Sequence, residues 1–69
     1  MLSPLLIWNK IGRVVTLIAK DLNIDSEKAL ALFYRSRTNT LMRDPATMLY
    51  TFGDRYIADE VIREYQARF

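Results

Sequence analysis

Leu17-Ile18-Ala19-Lys20-Asp21-Leu22-Asn23-Ile24-Asp25-Ser26-Glu27-Lys28-Ala29-Leu30-Ala31-Leu32-Phe33-Tyr34 is the stretch that decides the fold. It reads as the end of one helix, a sharp corner and the start of another. Asn23 suits the left-handed conformation needed just past a helix C-terminus. Ile24 stands where a hydrophobic staple forms, and Asp25 is a good N-cap, with Glu27 favourably placed in the first turn that follows. Ala19 is small enough for a close helix crossing. Leu22, Ile24 and Ala29 occupy the buried positions of a helix-turn-helix corner.

Upstream, Ser3 caps and Pro4 opens a helix running to Leu22. Ile7, Ile11, Val14, Val15, Ile18 and Leu22 share one face at helical spacing, with Asn9, Arg13, Thr16 and Lys20 opposite. Trp8 flanks the apolar face. Leu5, Leu6 and Leu17 do not fit it, and with Leu2 they form a second apolar surface, either covered by other helices or used for association.

Downstream, Ala29–Tyr34 is apolar all round, so this helix is expected to be largely buried, with Ala29, Leu32 and Phe33 inward. Ser36 or Thr38 interrupts it and caps a short continuation through Met42. Asp44-Pro45 signals a turn. Leu49-Tyr50-Thr51-Phe52 carries β-favouring residues between Pro45 and Gly53, and reads as a short strand or an extended loop. Asp54 is expected to cap a last helix whose inner face is Ile57, Ala58, Val61, Ile62, Tyr65 and Phe69. Asp59/Arg63 and Glu64/Arg68 are read as exposed i,i+4 pairs. The expected architecture is therefore all-α: a single domain over residues 1–69, three main helices, a short extra helical turn, and a strand or loop at 49–52.

Composition narrows the function classes. The 69 residues contain neither Cys nor His. That removes disulfides, thiol nucleophiles, Ser–His pairs and Cys- or His-ligated metals. A core of this size supplies only about 3–5 kcal/mol, and with neither staple nor metal a partner surface is the expected source of further stability. MLSPLLIW has no basic region preceding it and is not expected to be a signal peptide. No segment reaches the length of a membrane span, so the expected compartment is the cytoplasm and no membrane partner is expected.

Charge is uneven. The net is +2, yet residues 1–20 carry Lys10, Arg13 and Lys20 without an acid, and residues 35–43 carry Arg35, Arg37 and Arg43 without one. Three Arg among Ser, Thr and Asn suit phosphate or an acidic protein surface, or simply a solvated helix end. Tyr34, Tyr50 and Tyr56 are the aromatics expected to be partly exposed, and Tyr with Arg is the composition of interface hot spots. DNA binding by the helix-turn-helix is the alternative, but its second helix opens with Asp25 and Glu27, which repel phosphates. Nucleic acid is therefore the less favoured partner. Asp54, Asp59 and Glu60 form the only acidic patch suited to acid–base work, and caps and ion pairs account for it more simply. With only Gly12 and Gly53, no phosphate-cradling loop exists, and no cofactor or metal is expected.

IAKDLNI, EKALALFYRSRT with Leu41, DPATMLY and GDRYIADEVIRE together resemble a small bacterial helical family catalogued as domain of unknown function 3791. The likeness covers most of the chain. It implies a helical domain with no assigned activity or functional residues. The genes of that family tend to neighbour those of ADP-ribosyltransferase-like proteins, which implies an antitoxin-like or regulatory partner. The expected function is a non-enzymatic protein-interaction module, either a homo-oligomer such as a dimer or bound to such a neighbour. The expected surface is Leu2, Leu5, Leu6, Arg35, Arg37, Arg43, Tyr50 and Tyr56.

Overall fold

A computed structural model describes residues 4–67. Four α-helices, α1 (Pro4–Leu22), α2 (Ser26–Arg35), α3 (Arg37–Arg43) and α4 (Asp54–Ala67), are joined by two 3₁₀ turns, Pro45–Thr47 and Leu49–Thr51. The fold is all-α. Ser3, read as the first cap, and Phe69 and Arg68, read on the last helix, lie outside the described residues.

The α1–α2 corner closes through main-chain bonds around Asn23, whose φ is 55°. The Ile24 amide donates to Ala19 O at 3.0 Å and the Asn23 amide to Lys20 O at 3.4 Å. This pairing satisfies carbonyls that the helix end would otherwise strand. Asp25 then accepts from the Lys28 amide at 2.8 Å and starts α2.

Ser36 makes the next corner alone. Its hydroxyl donates to Phe33 O at 2.6 Å, ending α2, and accepts from the Asn39 amide at 3.0 Å, starting α3. The expected short extra turn is thus a helix in its own right, and the count is four rather than three. Asp44 accepts from the Ala46 amide at 3.0 Å, giving the turn expected at Asp44-Pro45.

Residues 49–52 form no strand. Met48 adopts a left-handed conformation, φ 56°, which turns the chain back on itself. The Thr51 amide donates to Met48 O and the Phe52 amide to Leu49 O, both at 3.0 Å, so these groups are satisfied within a tight turn. Local i→i+3 bonding here overrides the weak β-propensity of Leu-Tyr-Thr-Phe.

Asp54 is not the cap of α4 either. The Ile57 amide bonds Gly53 O at 3.1 Å, which makes Gly53 the capping residue and Asp54 the first helical one.

The core is one cluster: Ile11, Val14, Val15 and Ile18 of α1, Ala29 and Phe33 of α2, Met42 of α3, and Ile57, Ala58 and Val61 of α4. Phe33, Ile18 and Ile57 are fully buried. The inner face expected for α1 is confirmed from Ile11 to Ile18, with Ile7 and Leu22 packed at its margins. α2 departs from expectation in part. The expected inner stripe is there, with Ala29 and Phe33 buried and Leu32 packed beside them, but Leu30 is exposed like the expected Tyr34, because α1, α3 and α4 cover just one side of the helix. On α4, Tyr65 is likewise exposed. Asp59 pairs with Arg55, and Arg63 with Glu60, instead of Asp59 with Arg63.

At 1.5 Å per residue, α1 is about 28 Å long, against a longest molecular dimension of 34 Å. Its N-terminal turns therefore stand at one end of the molecule.

Candidate interaction surface

Burial of α1 begins at Ile11. In the turns before it, Leu5 is 67% exposed, Leu6 61% and Trp8 56%, while Ile7 is half-buried. Four large apolar side chains thus occupy one short length of helix, and only one of them has cover. Leu2 lies outside the described residues.

One flank of these turns faces a groove of about 270 Å³, bounded by Leu6, Ile7, Lys10 and Arg13 of α1, Met42 of α3, and Tyr50 of the second 3₁₀ turn. Two expected surface residues, Leu6 and Tyr50, therefore meet. Leu5 precedes Leu6 in sequence and is not among the residues that line the groove. Trp8 lies two residues and roughly 200° round the helix from Leu6, on the other flank.

A charged clamp holds the far rim. Lys10 Nζ donates to Phe52 O at 2.7 Å and to Asp54 Oδ1 at 2.9 Å, and Arg13 Nε donates to Asp54 Oδ2 at 2.7 Å. The Lys10 hydrogen bond holds the Asp54 carboxyl below the ordinary carboxylate range. Partial burial opposes this, and the Arg13 hydrogen bond reinforces it. The clamp ties the Phe52–Asp54 loop to α1, and Phe52 in turn carries Tyr56, with ring centroids 4.9 Å apart. Both rings are exposed. Leu6 and Tyr50, 44 residues apart in sequence, thus line one groove, and the clamp brings the Phe52–Asp54 segment to the same stretch of α1.

The arginines do not join this surface as one patch. Arg35 borders a second groove with Ile24, Leu32 and Tyr65. Arg37 borders a third, with Leu41 and Glu60. Arg43 Nε donates to Asn39 Oδ1 at 2.9 Å, and its guanidinium lies 5.9 Å over the Tyr34 ring. These are three separate environments.

Glu64 is a structural residue that the sequence reading missed. Its carboxylate accepts from the Arg37 amide at 2.8 Å, from the Thr38 amide at 3.0 Å and from the Thr38 hydroxyl. It caps α3 from another helix, and so fixes the element that carries Met42 to the groove. Negative charge at a helix N-terminus is favourable. No local pattern could have revealed this contact across 26 residues. The Lys10–Asp54 contact spans 44.

Among the described residues, no group of three Asp or Glu is arranged to hold a metal ion, and no helix is long and apolar enough to cross a membrane. Comparison with family models, curated proteins and solved structures gave no match to this chain.

Proposed function

We propose that this chain is a non-enzymatic protein-interaction module of the cytoplasm, an antitoxin-like or regulatory partner of a neighbouring gene's product. It binds through the edge formed by Leu5, Leu6 and the Tyr50–Tyr56 loop. The observation that carries this reading is the exposure of Leu5, Leu6 and Trp8 together on the first turns of α1. A helix that is apolar on every side calls for cover on every side. In a small domain, an uncovered cluster of this kind marks an association site.

Two further observations support it. Asp54, the most suitable carboxylate for acid–base chemistry, is held ionised by Lys10 and Arg13 and is a poor proton donor. The first turn of α2, where a DNA reader would present basic groups, carries the Asp25 carboxylate at its cap and Glu27 beside it. The resemblance to the bacterial helical family adds the neighbouring ADP-ribosyltransferase-like protein as the partner to try first. Self-association as a dimer through the same edge is the other form of this proposal.

Co-expression with the product of the adjacent gene tests the reading. The two proteins should co-purify, and a Leu5→Ser/Leu6→Ser double variant that stays folded should lose the complex. A monodisperse monomer that binds no neighbour, with both leucines intact, would count decisively against it.

A further inference from the structure

The groove beside Leu6 has a chemical asymmetry that specifies its occupant. It is lined by the apolar Leu6, Ile7 and Met42 together with Tyr50, and by the polar Asn9 and the cations Lys10 and Arg13. Lys10 is largely enclosed, with 15% of its side chain exposed, and its ammonium is engaged by Phe52 and Asp54. Arg13 is different. Its side chain is 58% exposed, and Asp54 engages it through Nε alone. Among the described residues the two terminal nitrogens of that guanidinium make no hydrogen bond.

Asp54 therefore engages the guanidinium at Nε and leaves its terminal donor fork open. A fork left open in this way matches a carboxylate in bidentate geometry. The local charge says which anion. Two cations face one carboxylate, an excess of a single positive charge, and residues 1–20 contain no acid. A monoanion balances that excess. A phosphate dianion would leave negative charge beside Asp54.

We propose that the groove between α1, α3 and the second 3₁₀ turn receives an amphipathic segment of a partner protein, whose apolar side chains seat on Leu6, Ile7, Met42 and Tyr50 and whose Asp or Glu docks on Arg13. This rests on the interaction reading above and names the chemistry of the partner. A concave groove with apolar lining residues fits an anchored peptide segment better than a flat lipid surface.

The test is panning a displayed library of random 12-residue peptides against the purified chain, followed by titration calorimetry with the synthetic winner. Enriched peptides should place Asp or Glu within one helical turn of an aromatic or branched apolar residue. Replacing that acid by its amide should weaken binding about tenfold or more, as expected for loss of a charged hydrogen-bonded pair. Arg13→Gln should cause the same loss, and the two changes together should cost little more than either alone. Arg13→Lys should recover only part of the affinity, since the charge returns without the fork. Circular dichroism checks that each variant is folded, with Lys10 still holding Asp54.

Four outcomes overturn the proposal. One is no enrichment, and another is enrichment of peptides without an acid. A third is binding lost in Leu6→Ser but untouched by Arg13→Gln, which rejects the carboxylate anchor and leaves the interaction reading standing. The fourth is Leu6-dependent dimerisation in sedimentation, or Leu6-dependent binding to phosphatidylglycerol vesicles, either of which assigns the face to a different occupant.

Discussion

The two halves of α1 are equally apolar and end up in opposite surroundings. From Ile11 to Leu22 its apolar residues recur at helical spacing with a polar stripe behind them, and Ile11, Val14, Val15 and Ile18 are buried. Between Pro4 and Lys10 the apolar residues run round the helix, and Leu5, Leu6 and Trp8 stay exposed. The cause is the reach of the neighbours. α2 and α4 cover the second half, whereas the first receives the end of α3 and the second 3₁₀ turn along one flank, with Phe52 and Asp54 reaching it at Lys10. Periodicity states which face of a helix is apolar. It does not state how far along the axis the cover extends, and here function is proposed for the place where the cover stops.

The largest effect should come from a matched pair of truncations, one in each half. Ile18→Ala removes a fully buried side chain and should cost about 3 kcal/mol. In a domain of this size that is most of the total stability, about 3–5 kcal/mol, so the variant should be only marginally folded at room temperature and its urea midpoint should fall steeply. Leu5→Ala should change stability by less than about 0.5 kcal/mol, because little of Leu5 is removed from water. Urea unfolding followed by circular dichroism measures both. A Leu5→Ala cost approaching that of Ile18→Ala would mean that Leu5 is covered in solution by something beyond this chain, and the contrast between the halves would dissolve.

The next effect concerns the cover itself. Glu64→Ala leaves Ser36 as the cap of α3 but removes the acceptor of the Arg37 and Thr38 amides. The expected loss is about 2 kcal/mol, the range for hydrogen bonds to a charged group at a helix start. Glu64→Gln should lose less, since an amide oxygen still accepts. Because α3 brings Met42 to the groove, Glu64→Ala should also loosen the wall that α3 gives the first half of α1. Proton exchange at the Leu41–Arg43 amides should accelerate well before exchange in the second half of α1. Equal protection in the variant and the parent protein would show that α3 is held by its packing alone.

Glu64 also marks how much of this molecule is legible in the sequence. The corners at Asn23, Asp25 and Ser36 were readable because each signal lies within three or four residues of the group it satisfies. The inner face of α1, and that of α4 from Ile57 to Val61, were readable for the same reason, being periodic and local. The Leu5/Leu6 edge was visible as apolar residues that fit no face. What joins it to Tyr50 and Tyr56 was not visible, because the clamp links Lys10 and Arg13 to Asp54 across more than forty residues. Asp54 looked like a cap because its position permits one, and nothing nearby shows that two cations from another helix draw its side chain away. Met48 misled in another way. A left-handed methionine carries no compositional mark, so the turn that follows it read as a strand or an extended loop.

The smallest expected effect comes from acid and acts on the seam between the two halves. Asp54 has its pKa lowered in the folded chain, first by Lys10, against burial, and then by Arg13. A carboxyl with a depressed folded pKa binds protons more readily in the unfolded chain. Its contribution is therefore complete above the ordinary aspartate value of 3.8 and is lost as pH falls through the lower folded value. The magnitude should stay under about 1 kcal/mol, because the pair is partly solvated. Protonation breaks the clamp where α1 passes from uncovered to covered. The Phe52–Tyr56 loop and the first turns of α1 should then loosen at acidic pH while the Ile11–Ile18 core still holds. Asp54→Asn should show the loosened loop already at neutral pH and a flatter acid limb in urea midpoints. Proton NMR of the Phe52 and Tyr56 rings reads the local change, and the Phe33 ring reports the core. If all three rings shift together in one transition, the seam does not separate the halves, and the groove beside Leu6 is as firmly set as the core behind it.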